Sequence, residues 1–167
     1  ANREVDIEAA LDRVVFEDAA GEIGAVLVSV GEACLGTGKT ALNASPLFSA
    51  LVGGPMLLSF GEADPNALEE TLGRLDDASA ALRRARLSCP DGEIVVRELE
   101  QAIRLARHGA PRLLRETDSV RLDDRTLHRE LAAAIEEQAA CWRLRSREGG
   151  LSDSLARLHH TLSSYGV

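Results

Sequence analysis

The strongest constraint on this chain is the spacing of large apolar residues between positions 65 and 165. They recur every three or four residues, which is the period of one face of an α-helix. Aromatic residues make up only 3% of the 167 residues, whereas strands favour aromatic and β-branched side chains. The sequence therefore predicts an all-α protein, with stripes formed by Leu68, Leu72, Leu75 and Leu82, by Leu127, Leu131, Ile135, Gln138 and Trp142, and by Leu151, Leu155, Leu158, Leu162 and Tyr165.

Helix boundary residues divide positions 64–167 into four amphipathic helices. The boundary signals are Asp64-Pro65, Asp91-Gly92, Asp123-Asp124 and Gly149-Gly150. Asp is a favoured N-cap residue, Pro fits the first helical position, and Gly follows helix ends. Gly109 and Pro111 are expected to end or kink the second helix. Short connections and a period near 3.5 residues predict long antiparallel helices, as in a helical bundle.

Residues 1–63 carry few charges and predict shorter, more apolar helices. Residues 5–18 read as a helix, and the apolar run at residues 23–30 fits either a buried strand or a buried helix by period alone. The small and apolar residues that continue to Leu35 favour a helix there. We therefore expect a single domain, 1–167, with about six to seven helices, in which one face of the first helix carries Ile7, Ala10, Leu11, Val14 and Val15.

Charge and cysteine content exclude several classes of protein. The net charge of −8 argues against binding to nucleic acid phosphates. The uncharged run at residues 40–61 is interrupted by Gly53-Gly54-Pro55, so no membrane span is predicted. Three cysteines without a CxxC pair favour a reducing compartment. With no signal peptide at the start, the expected location is the cytoplasm.

The stretch Ala33 to Thr40, ACLGTGKT, fits a relaxed phosphate-loop pattern, with Ala in place of the first Gly. Such a loop needs a strand before it, a helix directly after it, and a parallel sheet around it. No credible strand follows Gly61, and Asn43-Ala44-Ser45-Pro46 interrupts a following helix. Nucleotide binding is therefore the least favoured function.

Histidine and carboxylate pairs give no catalytic or metal signature. His108, His128, His159 and His160 lack the spacing of a helical metal site, and we expect them on solvated helix faces. Asp123-Asp124 and Glu136-Glu137 lie at a cap and on a charged face. The sequence therefore predicts no catalytic residue, no metal site and no cofactor.

Trp142 is the only tryptophan and lies on the apolar face of the longest predicted helix, before Arg143, Arg145 and Arg147. One interpretation is a core or inter-domain packing residue, and the other is a sugar-stacking or interface residue. Trp142 and Arg145 are the candidate contact residues.

Residues 142–154, WRLRSREGGLSDS, resemble the pattern W-x-x-R-N-[RK]-x-G-G-L-x-x-S. That pattern closes the helical domain of bacterial family 20 glycoside hydrolases, the β-N-acetylhexosaminidases, and Ser146 stands here in place of its Asn. Residues 11–18 and 43–48 resemble the opening of that domain, as does Gly31 with Thr37-Gly38. Residues 98–108 resemble its middle helix, so the resemblance extends over nearly the whole chain.

The resemblance implies an accessory domain rather than an enzyme. The catalytic Asp-Glu pair of that family lies on a (β/α)₈ barrel, and no Asp-Glu dipeptide occurs in this sequence. Because the chain begins at Ala1 without Met, we expect a piece of a larger enzyme, with the catalytic barrel or a second copy as its partner. The alternative is a stand-alone helical-bundle module for binding or dimerisation.

Overall fold

The computed structural model describes residues 5–41, 44–52, 59, 60, 62–115 and 123–167. These residues form seven α-helices: α1 Ile7–Ala10, α2 Ile23–Glu32, α3 Pro46–Val52, α4 Pro65–Arg84, α5 Gly92–Arg115, α6 Asp124–Arg145 and α7 Leu151–Ser163. A π-helical turn, Leu11–Val15, continues α1. Two short strands, β1 Thr40–Ala41 and β2 Ser59–Phe60, pair antiparallel. The predicted all-α helical bundle is confirmed.

The long helices pack antiparallel, as their apolar period predicts. Positions that rise along α5 meet positions that fall along α6: Arg97 pairs with Glu137, and Arg115 pairs with Asp124. Between these pairs, Gln101 Nε2 donates to the backbone carbonyl of α6 at 2.8 Å. The central helix α5 also packs against α3 and α4. None of the helices in the described part of the chain is long and apolar enough to cross a membrane.

Three apolar clusters form the core. The first joins α3, α6 and α7 around Leu131, and the second joins α2, α4 and α5 around Leu75. The third joins α3, α4 and α5 around Leu68. Since α5 borders all three, the bundle is organised around this one helix.

The caps of α4 and α6 are confirmed. Asp64 accepts a hydrogen bond from Asn66 N at 3.0 Å, and Asp123 accepts one from Arg125 N at 3.2 Å. Asp64 and Asp123 each satisfy an N–H group that has no partner within its own helix.

Gly109 and Pro111, expected to end or kink the second helix, do not end it, because α5 continues to Arg115. A Cβ atom at Gly109 would lie 2.4 Å from the Leu47 carbonyl oxygen, so the glycine lets α3 press directly on α5. Ala110 and Leu113 are buried on either side of the proline. This burial offsets the helical hydrogen bond that Pro111 cannot donate.

The first third departs further from its predicted pattern. Residues 23–32 are helical as expected, but three of the large apolar residues of the first helix are exposed rather than buried in the core. The exposed fractions of Ile7, Val14 and Val15 are 64%, 78% and 53%. Asp12 is the residue that turns inward, where its Oδ1 accepts a hydrogen bond from Gly24 N at 2.7 Å.

This reversal has a steric reason. A Cβ atom at Gly24 would lie 2.3 Å from the Glu8 carbonyl oxygen, so α1 and α2 meet backbone to backbone. Such a contact leaves no room for large apolar side chains between the two helices. The π-helical turn adds a residue to the helical repeat and shifts the face on which Val14 and Val15 lie.

Candidate functional site

Residues 142–154 form the corner between α6 and α7. Trp142 Nε1 donates to the Arg147 carbonyl at 2.7 Å, and Arg143 pairs with Glu148 at 2.7 Å. Gly150 has φ +87°, a conformation that favours glycine. A Cβ atom there would lie 3.6 Å from the Trp142 ring. The stretch therefore fixes the path of the chain from one helix into the next.

Trp142 is half-buried at this corner, so its position lies between the two predicted roles. One side packs on the corner, and the indole also lines a groove of about 570 Å³ between α3, α5, α6 and α7. Phe48, an exposed residue of α3, lines the same groove. Trp142 is conspicuous in the sequence because it is the only tryptophan. Nothing in the sequence indicates that Phe48 lies near it.

The groove has an apolar interior and a polar rim. Buried Leu51 and Leu158 line it, together with half-buried Ala106 and exposed Ala102 of α5. The rim carries the polar side chains Ser45, Gln138, Asp153, Ser154 and Arg157. The arrangement resembles the ligand cavities found between the helices of bundles, which combine an apolar lining with a few polar groups.

Arg145, the second candidate contact residue, does not line this groove. Its Nε lies 2.9 Å from Glu98 Oε1, and its Nη1 lies 2.7 Å from Asp91 Oδ2. The hydrogen bond from Arg145 lowers the pKa of Asp91. The guanidinium thus ties the end of α6 to the start of α5, and the structure does not bring Arg145 and Trp142 into one site.

His108 corrects the expectation that the histidines are solvated. It is 4% exposed, and its Nε2 lies 2.7 Å from the Tyr165 hydroxyl oxygen. Burial, followed by the charges of Arg112 and Arg115, lowers the pKa of His108 from 6.5 to about 4. The imidazole is therefore neutral at pH 7, and its Nδ1 is buried without a hydrogen-bond partner. The heptad spacing of the buried residues Gln101 and His108 on α5 was the available signal.

The remaining histidines differ in exposure. His159 and His160 are exposed as expected, and His128 is half-buried. No group of three or more metal-ligating side chains occurs among the described residues.

Buried Asp18 was also missed by the sequence analysis. Its carboxylate accepts hydrogen bonds from four backbone N–H groups, those of Ala20, Glu22, Ile23 and Arg86, at 2.6–3.0 Å. Burial of the carboxyl acts to raise its pKa, but the four hydrogen bonds together outweigh burial and lower it. Asp18 caps α2 and joins the N-terminal region to the chain after α4, which is a structural role. An Asp five residues before an apolar helix was the signal for such a cap.

The phosphate-loop-like stretch has the wrong surroundings for nucleotide binding. It follows the helix α2 and leads into β1, whereas a phosphate loop joins a strand to a helix. Thr37 is fully buried and its hydroxyl donates to the Cys34 carbonyl at 3.0 Å. A Cβ atom at Gly38 would lie 2.6 Å from the Glu62 carbonyl oxygen, so this glycine serves a close backbone contact.

No family model matches this chain, and neither a curated protein nor a solved structure matches it. The resemblance to hexosaminidase helical domains therefore depends on the residues quoted for it.

Proposed function

We propose that this chain is a non-catalytic helical accessory domain of a β-N-acetylhexosaminidase-like glycoside hydrolase. Its role is to pack against the catalytic barrel of the parent enzyme, which releases terminal N-acetylhexosamine. The resemblance at residues 142–154 supports this proposal, because those residues form a helix corner. Corner residues of this kind define a helical domain rather than a reaction centre.

The observation that carries the proposal is the exposure of four apolar residues near the N-terminus, Val5, Ile7, Val14 and Val15, which we call the N-terminal surface. All four side chains are more than half exposed. Clustered exposed apolar side chains mark interaction sites on folded proteins. Residues 11–18 also belong to the stretch that resembles the opening of hexosaminidase helical domains. We therefore assign the contact with the barrel to the N-terminal surface.

This assignment replaces Trp142 and Arg145, the candidate contact residues of the sequence analysis, as the contact with the barrel. Arg145 is engaged by Glu98 and Asp91 of its own chain, and Trp142 lies in the groove. Neither residue offers the extended apolar area that a stable domain contact needs.

The cysteines support a cytoplasmic location for the parent enzyme. Cys34, Cys89 and Cys141 are all unpaired. Free thiols persist in reducing compartments, which agrees with the bacterial cytoplasm.

Hydrolysis of an aryl N-acetyl-β-glucosaminide tests the proposal. The native gene product is assayed beside the 167-residue chain. Activity in the longer product alone supports an accessory domain. Activity in the 167-residue chain overturns the non-catalytic assignment.

A second experiment tests the contact itself. Val14→Asp is introduced into the native product, and thermal unfolding is followed by calorimetry. We expect the variant to uncouple the helical domain from the barrel, giving separate transitions. Arg129→Asp, at an exposed position of α6, is the control and should leave the transitions unchanged.

The N-terminal surface also fits the second candidate function, a stand-alone dimerisation module. In that case a native product no longer than this chain forms a dimer in sedimentation equilibrium, and Val14→Asp makes it a monomer. Hydrolase activity would be absent from the native product as well.

A further inference from the structure

We propose that the groove beside Trp142 binds an amphiphile with an uncharged, hydroxylated head group. Its apolar tail lies between Phe48 and Trp142, and its head contacts Asp153 and Arg157 on the rim. This ligand site is separate from the apolar N-terminal surface and does not depend on the accessory role of the chain.

The interior of the groove selects an apolar tail. Its volume of about 570 Å³ lies within the range of small-molecule cavities. Leu51 and Leu158 form its buried part, and the Phe48 and Trp142 rings supply aromatic walls. A tail placed there leaves water and gains contact with carbon on several sides, which is the main source of affinity for apolar groups.

The groove is held open by the small residues of α5 and by fixed backbone contacts. Ala102 and Ala106 provide no long side chain to fill the space beside α3. The short helix α3 is anchored from two directions. Thr161 Oγ1 donates to the Leu51 carbonyl at 2.6 Å, and Arg112 Nε donates to the Ala50 carbonyl at 2.6 Å. A preformed cavity of this kind needs little reorganisation to bind a ligand.

The charges on the rim select the head group. Asp153 and Arg157 lie one helical turn apart on α7 and both are exposed. Neither forms an ion pair or side-chain hydrogen bond with another described residue, although they are opposite in charge. An anionic head is attracted by Arg157 and repelled by Asp153. A cationic head is attracted by Asp153 and repelled by Arg157. A neutral hydroxylated head donates to the carboxylate and accepts from the guanidinium, so it satisfies both.

Trp142 provides a direct measurement of binding, because it is the only tryptophan. Three probes with the same eight-carbon tail are titrated below their micelle concentrations: octyl β-glucoside, nonanoate and octyltrimethylammonium. We expect a saturable change in Trp142 emission with the glucoside. The two charged probes should bind about ten-fold more weakly, the effect of losing roughly one hydrogen bond to a charged group.

Variants of the groove distinguish the contribution of the head group to binding from that of the tail. Arg157→Gln and Asp153→Asn should each weaken glucoside binding about five- to ten-fold, while Arg129→Gln, at an exposed position of α6 outside the groove, should not change it. Ala102→Leu should weaken all three probes together by filling the interior. Circular dichroism checks that each variant is folded, and the exposed rim variants keep the test informative if Ala102→Leu is not.

The outcomes are distinct. No saturable change with any probe overturns the site. Equal binding of the three probes, unaffected by the rim variants, overturns the assigned head group. Binding by the 167-residue chain is unaffected by Val14→Asp if the groove and the N-terminal surface are independent, so this test and the test of the accessory role fail separately.

Discussion

The α5–α6 pair and the N-terminal segment formed by α1 and the π-helical turn bury their residues in opposite ways. In the α5–α6 pair, the apolar stripe turns inward and charged residues form ion pairs at its edge, as with Arg97 and Glu137. In the N-terminal segment, Ile7, Val14 and Val15 turn outward and the carboxylate of Asp12 turns inward. Both segments carry helix-periodic apolar residues.

The difference lies in how closely the helices approach. The helices α5 and α6 meet through long side chains, so the apolar period decides which face is buried. The helices α1 and α2 meet through backbone at Gly24, where the groups to be satisfied are N–H donors. A short carboxylate side chain satisfies such a donor, and a valine cannot.

The largest expected effect belongs to the core between α3, α6 and α7. Leu131→Ala should lower the free energy of unfolding by about 4 kcal/mol, because Leu131 is fully buried and its truncation leaves a cavity. Urea unfolding measures the loss. Leu144→Ala on the same helix is the matched control, and its partly exposed side chain should cost about 1 kcal/mol or less. Equal losses in the two variants would contradict the inward assignment of the stripe.

The next largest effect is the loss of folding stability at low pH that His108 causes. Its folded-state pKa of about 4 lies below the ordinary value of 6.5. Between these values the unfolded chain binds a proton that the folded chain does not. Stability contributed by neutral His108 is therefore complete above pH 6.5 and is lost as pH falls towards 4, by about 3 kcal/mol in total.

Denaturant unfolding at pH 7 and pH 4.5 measures this loss. His108→Asn should remove most of the difference between the two pH values, whereas His160→Asn, at an exposed position, should keep it. The same pH dependence in both variants would mean that other groups cause it.

A smaller effect is expected from Asp12. Asp12→Ala leaves the buried Gly24 N–H without its partner and should cost about 2 kcal/mol. Asp6→Ala removes the exposed cap of α1, where Asp6 accepts a hydrogen bond from Ala9 N at 3.0 Å, and should cost less. Chemical denaturation of both variants tests whether the carboxylate, rather than the apolar pattern, fixes this segment.

The smallest expected effect on stability is that of Val14→Ser, which is compared with Val26→Ser in the adjacent helix. Val14→Ser should change the free energy of unfolding by no more than about 0.5 kcal/mol, because the side chain is 78% exposed. Val26→Ser, at a buried position of α2, should cost about 2 kcal/mol or more. A large loss in Val14→Ser would show that the N-terminal surface is buried within this chain.

Part of the fold follows from residues that act locally. The caps at Asp64 and Asp123 were predictable because an N-cap bonds to N–H groups two or three residues away. The passage of α5 through Gly109 and Pro111 was not, because its cause is contact with Leu47 of a different helix. The same limit applies to His108, whose partner is Tyr165 at the end of α7.

The candidate site was half predictable. Trp142 is conspicuous because it is unique and lies on an apolar stripe. The groove also needs Phe48 of α3 and Ala106 of α5, and nothing in their local sequence connects them to Trp142. Arg145 was predicted to share the site because it is near in sequence, but it lies on the side that faces α5.

The amino-acid pattern was enough to predict the all-α class, most of the helix limits and the antiparallel order of the long helices. These properties depend on a repeat of three to four residues and on caps that act over one turn. Tertiary structure alone decided that Asp12 and His108 turn inward, that Val14 turns outward and that a groove opens beside Trp142. The orientation of Asp12 and Val14 follows from the close backbone approach at Gly24, that of His108 from Tyr165, and the groove from four separate helices, so each depends on residues far apart in the chain.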